Sequence, residues 1–295
     1  MDCNKPRMRL SHNGSGSLTR PLSVATIPTA GRTRMAGVTW TDSTMEAAGT
    51  KLHVSRAGKG RPVLVLHHET GTLDRLPFYD ALAAQYDVLV PHHPGYSRSP
   101  RPEWMRSVRD IAVIYRGLLA DLKVKNAALI GLGFGGWIAA EMASMAPGDL
   151  SHLALVGAMG IKPPQGDILD LAITGYIDYA RAGFHDQKAF DKVYGAEPST
   201  DQLEMWDICR EMSFRIAWKP YMYSQTLPHL LGSVRTPSLI VWGDLDKVVP
   251  QSAAGVYAKS LPNAKLEIVK GCGHCVDMEQ PDALAKLVTS FIAKA

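Results

Sequence analysis

The residues best suited to chemistry lie far apart in this chain. Asp246 sits in Trp242-Gly243-Asp244-Leu245-Asp246 and His274 in Gly271-Cys272-Gly273-His274. A carboxylate that holds one ring nitrogen of a histidine orients the ring and leaves the other nitrogen free to take a proton. Asp244 is the neighbouring alternative for that carboxylate. Upstream, the apolar run Ala127-Ala128-Leu129-Ile130 leads into Gly131-Leu132-Gly133-Phe134-Gly135-Gly136, and Trp137 to Ala143 then reads as a helix. In a strand-turn-helix of the G-x-S-x-G kind, the middle residue is raised above a sheet on a sharp turn. Here the middle residue is Gly133, a degenerate nucleophile position. The chain order of turn, acid and histidine is kept, but covalent catalysis needs a side-chain nucleophile and glycine supplies none.

The elements that must position these residues follow from the hydrophobic pattern. From about Lys51 short apolar runs alternate with helical spacing, which predicts an α/β fold with a mostly parallel central sheet flanked by helices. Strands are expected at Lys51 to Ser55, Val63 to His67, Tyr86 to Pro91, Ala127 to Ile130, Ser151 to Gly157, Ser238 to Trp242 and Lys265 to Lys270. Helices are expected at Pro77 to Gln85, Val108 to Leu122, Trp137 to Ala143, Ala253 to Ser260 and Pro281 to Ala295. Residues 163–231 break this alternation and carry much of the Tyr and Trp at helical spacing, so they read as an inserted, mainly helical cap. The domain reading is therefore residues 44–162 and 232–295 as core, 163–231 as cap insertion, and 1–43 as a leader.

Composition bounds the function classes. A chain of 295 residues, 46% apolar and 20% charged, is an ordinary globular protein. No window approaches the ~18 uninterrupted apolar residues of a membrane-crossing helix. The net charge of +4 is concentrated in residues 1–36, where six Lys and Arg stand against Asp2 alone and leave the remainder about −1. That balance gives no reason to expect a nucleic-acid partner. The leader is rich in Ser, Thr and Arg, and three readings stand: a start assigned too far upstream, with Met35 or Met45 as the true beginning; a disordered tail; or an organelle transit peptide. Four scattered cysteines do not make a disulfide scaffold, and a cytoplasmic location is expected.

Several segments, in order, carry a family resemblance. Leu64-Val65-Leu66-His67-His68-Glu69 resembles a His-Gly oxyanion segment. Pro91-His92-His93-Pro94-Gly95-Tyr96-Ser97-Arg98-Ser99 resembles a P-D-x-x-G-x-G-x-S loop, and Gly273-His274 with Glu279-Gln280-Pro281 resembles a histidine loop. Together with the Gly131–Gly136 turn they make residues 44 to 295 similar to the α/β-hydrolase fold superfamily. The resemblance implies that Asp246 orients His274 and that the backbone N–H groups of Phe134 and Glu69 form an oxyanion hole. His67, His68 and Trp137 would then be candidates for substrate contact. Three positions depart from the pattern: Gly133 for the nucleophile, His68 for a glycine, and His92 for an aspartate.

The resulting expectation is a hydrolase- or lyase-like enzyme acting on a small apolar carbonyl or ester compound through a His-Asp dyad and a backbone oxyanion hole. The alternative is an inactive relative that keeps the pocket to bind a small apolar ligand. No cofactor, metal, nucleic acid or membrane is expected; homo-oligomerisation stays open. Three further signals carry less. Gly131-x-Gly133-x-x-Gly136 matches a dinucleotide fingerprint but lacks the acid about 20 residues later. Cys272-Gly273-His274-Cys275 has C-x-x-C spacing without a thioredoxin-like unit around it, although either thiol beside His274 offers a thiolate. His67, His68, Glu69, His92 and His93 fall at strand ends but match no zinc spacing, so they read as hydrogen-bonded loop histidines.

Overall fold

A central sheet of eight strands organises the protein in the computed structural model, which describes residues 38–146 and 148–294. The strands are β1 (Trp40–Ala47), β2 (Thr50–Ala57), β3 (Pro62–Leu66), β4 (Asp87–Pro91), β5 (Ala127–Leu132), β6 (Leu150–Val156), β7 (Ser238–Gly243) and β8 (Ala264–Val269). Their spatial order is β1-β2-β4-β3-β5-β6-β7-β8. The β1/β2 and β2/β4 pairs are antiparallel and the rest are parallel. β5 and β7 are buried along their whole length, as apolar runs such as Ala-Ala-Leu-Ile must be when helices cover both faces of a parallel sheet.

The flanking helices are α1 (Pro77–Ala83), α2 (Val108–Asp121) and α3 (Phe134–Met145); α4 (Tyr176–Ala182), α5 (Gln187–Tyr194), α6 (Thr200–Ala217) and α7 (Leu227–Leu230) follow β6. The last three are α8 (Ser252–Ser260), α9 (Val276–Glu279) and α10 (Pro281–Ile292). α2 starts at a capping box: the Asp110 N–H donates to Ser107 Oγ at 3.2 Å, and the Ser107 N–H to Asp110 Oδ2 at 3.0 Å. α3 starts at Gly133 and lies so close to β3 that a Cβ on Gly135 would stand 2.2 Å from the Leu66 carbonyl oxygen. Glycine there is a packing requirement.

β3 and β5 are neighbours although β4 lies between them in sequence, so the chain leaves them toward opposite sides of the sheet. The crevice beyond the carboxyl ends of strands at such a switch point is where open α/β sheets bind ligands. His67, His68 and Glu69 follow β3, and Gly133 follows β5.

Two boundaries differ from the sequence reading. β1 is an edge strand that starts at Trp40, inside the segment assigned to a 1–43 leader, and it runs across Met45. It is tied to α1 by Trp40 Nε1 donating to Asp80 Oδ1 at 2.7 Å. Its residues are mostly polar and exposed on one side, so it lacks the apolar run that marks the other strands. The rest of the leader, residues 1–37, lies outside the described residues. The second difference is α9, a short helix directly after His274 that the sequence reading passed over as loop.

Candidate active site

The elbow is built as the turn chemistry demands. Gly133 has φ 51° and ψ −115°, a conformation that costs an ordinary residue strain and glycine little. It is held by its N–H to the Val156 carbonyl at 2.9 Å, and its own carbonyl accepts from Gly136 and Met159, each at 3.0 Å. A Cβ placed on Gly133 would lie 2.5 Å from His68 Nδ1, 2.8 Å from Glu69 Oε2 and 3.0 Å from His274 Nε2. The missing side chain is thus the meeting point of three buried polar groups.

Each group is fixed from behind. His274, which follows β8, pairs its Nδ1 with Asp246 Oδ2 at 2.8 Å. Asp246 is locked in turn by the Val248 and Val249 N–H groups, each donating to Oδ1 at 2.8 Å. His68 pairs its Nε2 with Asp277 Oδ1 at 2.8 Å, and Asp277 stands on α9. Both rings therefore donate N–H to a carboxylate and turn the other nitrogen toward the elbow. Glu69 accepts from Tyr179 Oη on α4 at 3.1 Å and faces the Phe134 N–H through Oε2 at 3.4 Å. Its Oε1 lies 3.9 Å from His274 Nε2.

His68 Nδ1, His274 Nε2 and Asp277 Oδ2 are buried without a hydrogen-bond partner among the described residues. Each such atom costs about 1–3 kcal/mol, against a total fold stability of about 5–15 kcal/mol. These three atoms face the space beside Gly133 or flank it, so a polar group bound there could satisfy them.

The charges are equally unbalanced. The side chains of Asp246, Asp277 and Glu69 are at most 2% exposed, and among the described residues no Lys or Arg pairs with them. Burial works against charge on His274, yet Asp246, by charge and hydrogen bond, together with Glu69 and Asp277, raises its pKa to about 9. Beside these residues lies a narrow cleft lined by Tyr179, Phe184, Tyr194, Val248 and the Thr70 loop, with room for about one water molecule. The larger concavity, about 460 Å³ between β8 and α10, is lined by none of the residues of this site.

The remaining sequence candidates go elsewhere. His67 is fully buried and uses both nitrogens: Nδ1–H donates to the His68 carbonyl at 2.7 Å, and Nε2 accepts from the His93 N–H at 2.9 Å. It stacks on His93 at 3.6 Å, so its expected substrate contact is corrected to a structural role. Burial lowers its pKa to about 3. His93 is spent in the same way, accepting from Tyr115 Oη at 2.6 Å and donating to the His67 carbonyl at 3.0 Å.

Trp137 is likewise corrected, because its ring packs under Gly160 and edge-on to Phe134 in the core. Asp244 lies near the Cys272 N–H and Lys270 instead of His274. Burial pushes both the Cys272 and Cys275 thiols up, which removes the thiolate reading. The Phe134 N–H, expected as an oxyanion donor, faces the Glu69 carboxylate. Two contributors escaped the sequence reading. Tyr179 carries no signal beyond the aromatic content of its segment, whereas Asp277 could have been found as an acid three residues after His274.

Known proteins can now be set beside this geometry. The family model described as alpha/beta hydrolase fold matches residues 61–281, and the chain belongs to that family. It is 25% identical over 274 residues to 2-hydroxymuconate semialdehyde hydrolase of Pseudomonas sp. (strain CF600), covering 84% of this chain and 93% of the relative. To Monoacylglycerol lipase ABHD6 of Rattus norvegicus it is 27% identical over 271 residues, covering 80% and 77%. Among solved structures, a bacterial membrane phospholipase A superposes with a TM-score of 0.75 at 21% identity, covering 87% of each chain. A meta-cleavage product hydrolase from Pseudomonas fluorescens IP01 superposes at 0.71 and 21%, covering 85% of this chain and 97% of its own. No helix among the described residues is long and apolar enough to cross a membrane.

Proposed function

We propose that this protein is a serine-independent hydrolase that adds water to the ester or ketone carbonyl of a small apolar compound. The observation that carries the reading is the convergence of His274 Nε2, His68 Nδ1 and the Glu69 carboxylate on the place of the absent nucleophile. His274 Nε2 and Glu69 Oε1 are 3.9 Å apart, a spacing at which one water can hydrogen-bond to both. His274, aligned by Asp246, takes a proton from that water as its oxygen bonds to the carbonyl carbon, then returns it to the leaving group. The carbonyl oxygen gains charge and turns to the Phe134 N–H, which requires Glu69 to swing toward Tyr179.

The relatives give the substrate class its support, since one is named for a semialdehyde and another for a monoacylglycerol. The cleft beside the site has room for about one water molecule, so an acyl or aryl group would enter only if Tyr179, Phe184 and Tyr194 moved apart. The test is turnover of aryl esters, monoacylglycerols and vinylogous 1,5-diketones by purified protein. Activity that disappears in His274→Ala supports the proposal; unaltered turnover in that variant overturns it. No turnover across the panel, with saturable ligand binding that survives His274→Ala, would make the protein a binder instead.

A further inference from the structure

The same cluster has the composition and the wiring of a divalent cation site. His68 Nδ1, one Glu69 carboxylate oxygen and His274 Nε2 lie within 4.8 Å of one another, all buried. Two imidazoles and a carboxylate with an open position are a donor set used for catalytic zinc and for other first-row divalent metals. Metal-ligating histidines almost always donate the second ring N–H to a carboxylate or carbonyl; here His68 donates to Asp277 and His274 to Asp246, each at 2.8 Å. The two inward nitrogens have no hydrogen-bond partner among the described residues although their rings are 1% exposed. Three buried carboxylates stand there with no Lys or Arg partner among the described residues and only the His274 ring to offset them, and buried charges are paired or coordinate metals.

Gly133 completes the case. A Cβ at this position would stand 2.5 to 3.0 Å from all three donor groups, so glycine leaves open the space on which the donors converge. A second trio, His53, Asp74 and His92, is also close, but the Arg98 guanidinium holds Asp74 at 2.6 Å and already neutralises it.

We infer that His68, Glu69 and His274 bind one divalent transition-metal ion, with Asp277 and Asp246 as positioning residues behind the two histidines. This rests on the hydrolase reading for its chemistry: the cation acidifies the water that the metal-free site leaves to His274. The released proton goes to solvent, the hydroxide oxygen bonds to the carbonyl carbon, and the leaving group departs with a proton from solvent. Water, substrate and products balance without a redox change.

The full-length protein, treated with chelator and desalted, is titrated with Zn²⁺ by calorimetry, and Co²⁺ is followed by its visible absorption. One tight Zn²⁺ per chain is expected. Affinity should fall at least about a hundredfold in His68→Ala and Glu69→Ala, and about ten- to a hundredfold in Asp277→Asn. Gly133→Ala, whose methyl group enters the site, should weaken it too, and His53→Ala should leave it unchanged. Asp277→Asn preserves side-chain shape, so it decides the matter if the alanine variants fail to fold. Absence of stoichiometric Zn²⁺ uptake, or uptake indifferent to Asp277→Asn and Glu69→Ala, overturns the inference. Hydrolysis that needs His274 and persists in chelator without Zn²⁺ uptake would sink the metal and keep the hydrolase; tight Zn²⁺ binding without any hydrolysis would do the reverse.

Discussion

His67 and His68 are adjacent in the chain, and equally buried, yet they do opposite things. His67 joins His93 in a stacked pair whose four ring nitrogens are all engaged by neighbouring groups. His68 joins His274 around Gly133, and each ring keeps one nitrogen unpartnered. One pair closes its hydrogen bonds within the protein and fastens the end of β3 to the loop after β4. The other keeps its bonding capacity open toward the space beside Gly133. Burial alone therefore does not distinguish these two histidines; the neighbours that engage their ring nitrogens do.

The comparison breaks most visibly at His274. His274→Gln should lower kcat/KM by about 10³- to 10⁴-fold, as loss of an essential base does, so its main effect falls on the chemistry even though losing the Asp246 pair also lowers the melting temperature. His67→Ala should reverse that pattern, because it strands the His93 N–H and opens a cavity. A loss of about 3 kcal/mol is expected in a urea melt, and whatever folds should retain the chemistry.

Gly133→Ser sharpens the contrast from the other side. In a serine enzyme the change would supply the nucleophile; here its Cβ meets the His68 ring, which Asp277 holds in place. The variant should lose about 1–3 kcal/mol and remain unlabelled by a fluorophosphonate probe. Strong labelling would show that the elbow needed only its serine.

The smallest effect lies in the pH dependence of stability. The two pairs should shape opposite limbs. The pKa of His67 is about 3 in the fold against about 6.5 unfolded. Its contribution is whole above pH 6.5 and is lost as pH falls toward 3. The pKa of His274 is about 9, so its contribution is whole below pH 6.5 and fades as pH rises through 9. Melting temperatures of chelator-treated protein should therefore peak near pH 6.5, and His274→Gln should flatten the alkaline side alone. The rate of the metal-free enzyme should rise over that same alkaline window, as His274 becomes neutral.

The fold was legible because its signals are local. Parallel strands such as Ala127–Leu132 are continuous apolar runs, and clustered glycines between such a run and a helical segment mark a tight strand-turn-helix. β1 was missed because an edge strand with one solvent face carries too little apolar pattern. At the site, Asp246 and His274 could be paired from the chain order of the resemblance. The partnership of His68 with Asp277 could not, since it joins residues 209 positions apart through the geometry of α9. Nor could His67 and His68 be told apart, because their difference lies in which neighbours engage their nitrogens and not in their own sequence surroundings.

The most direct test of this account is the protonation of the histidine rings, read from ¹⁵N shifts in chelator-treated protein between pH 4 and 10. The account requires His274 to stay cationic through neutral pH and to lose its proton near 9, while His67 stays neutral across the range with the proton on Nδ1. A His274 ring that titrates near the ordinary value of about 6.5, or a His67 ring that titrates at all in that window, would contradict it.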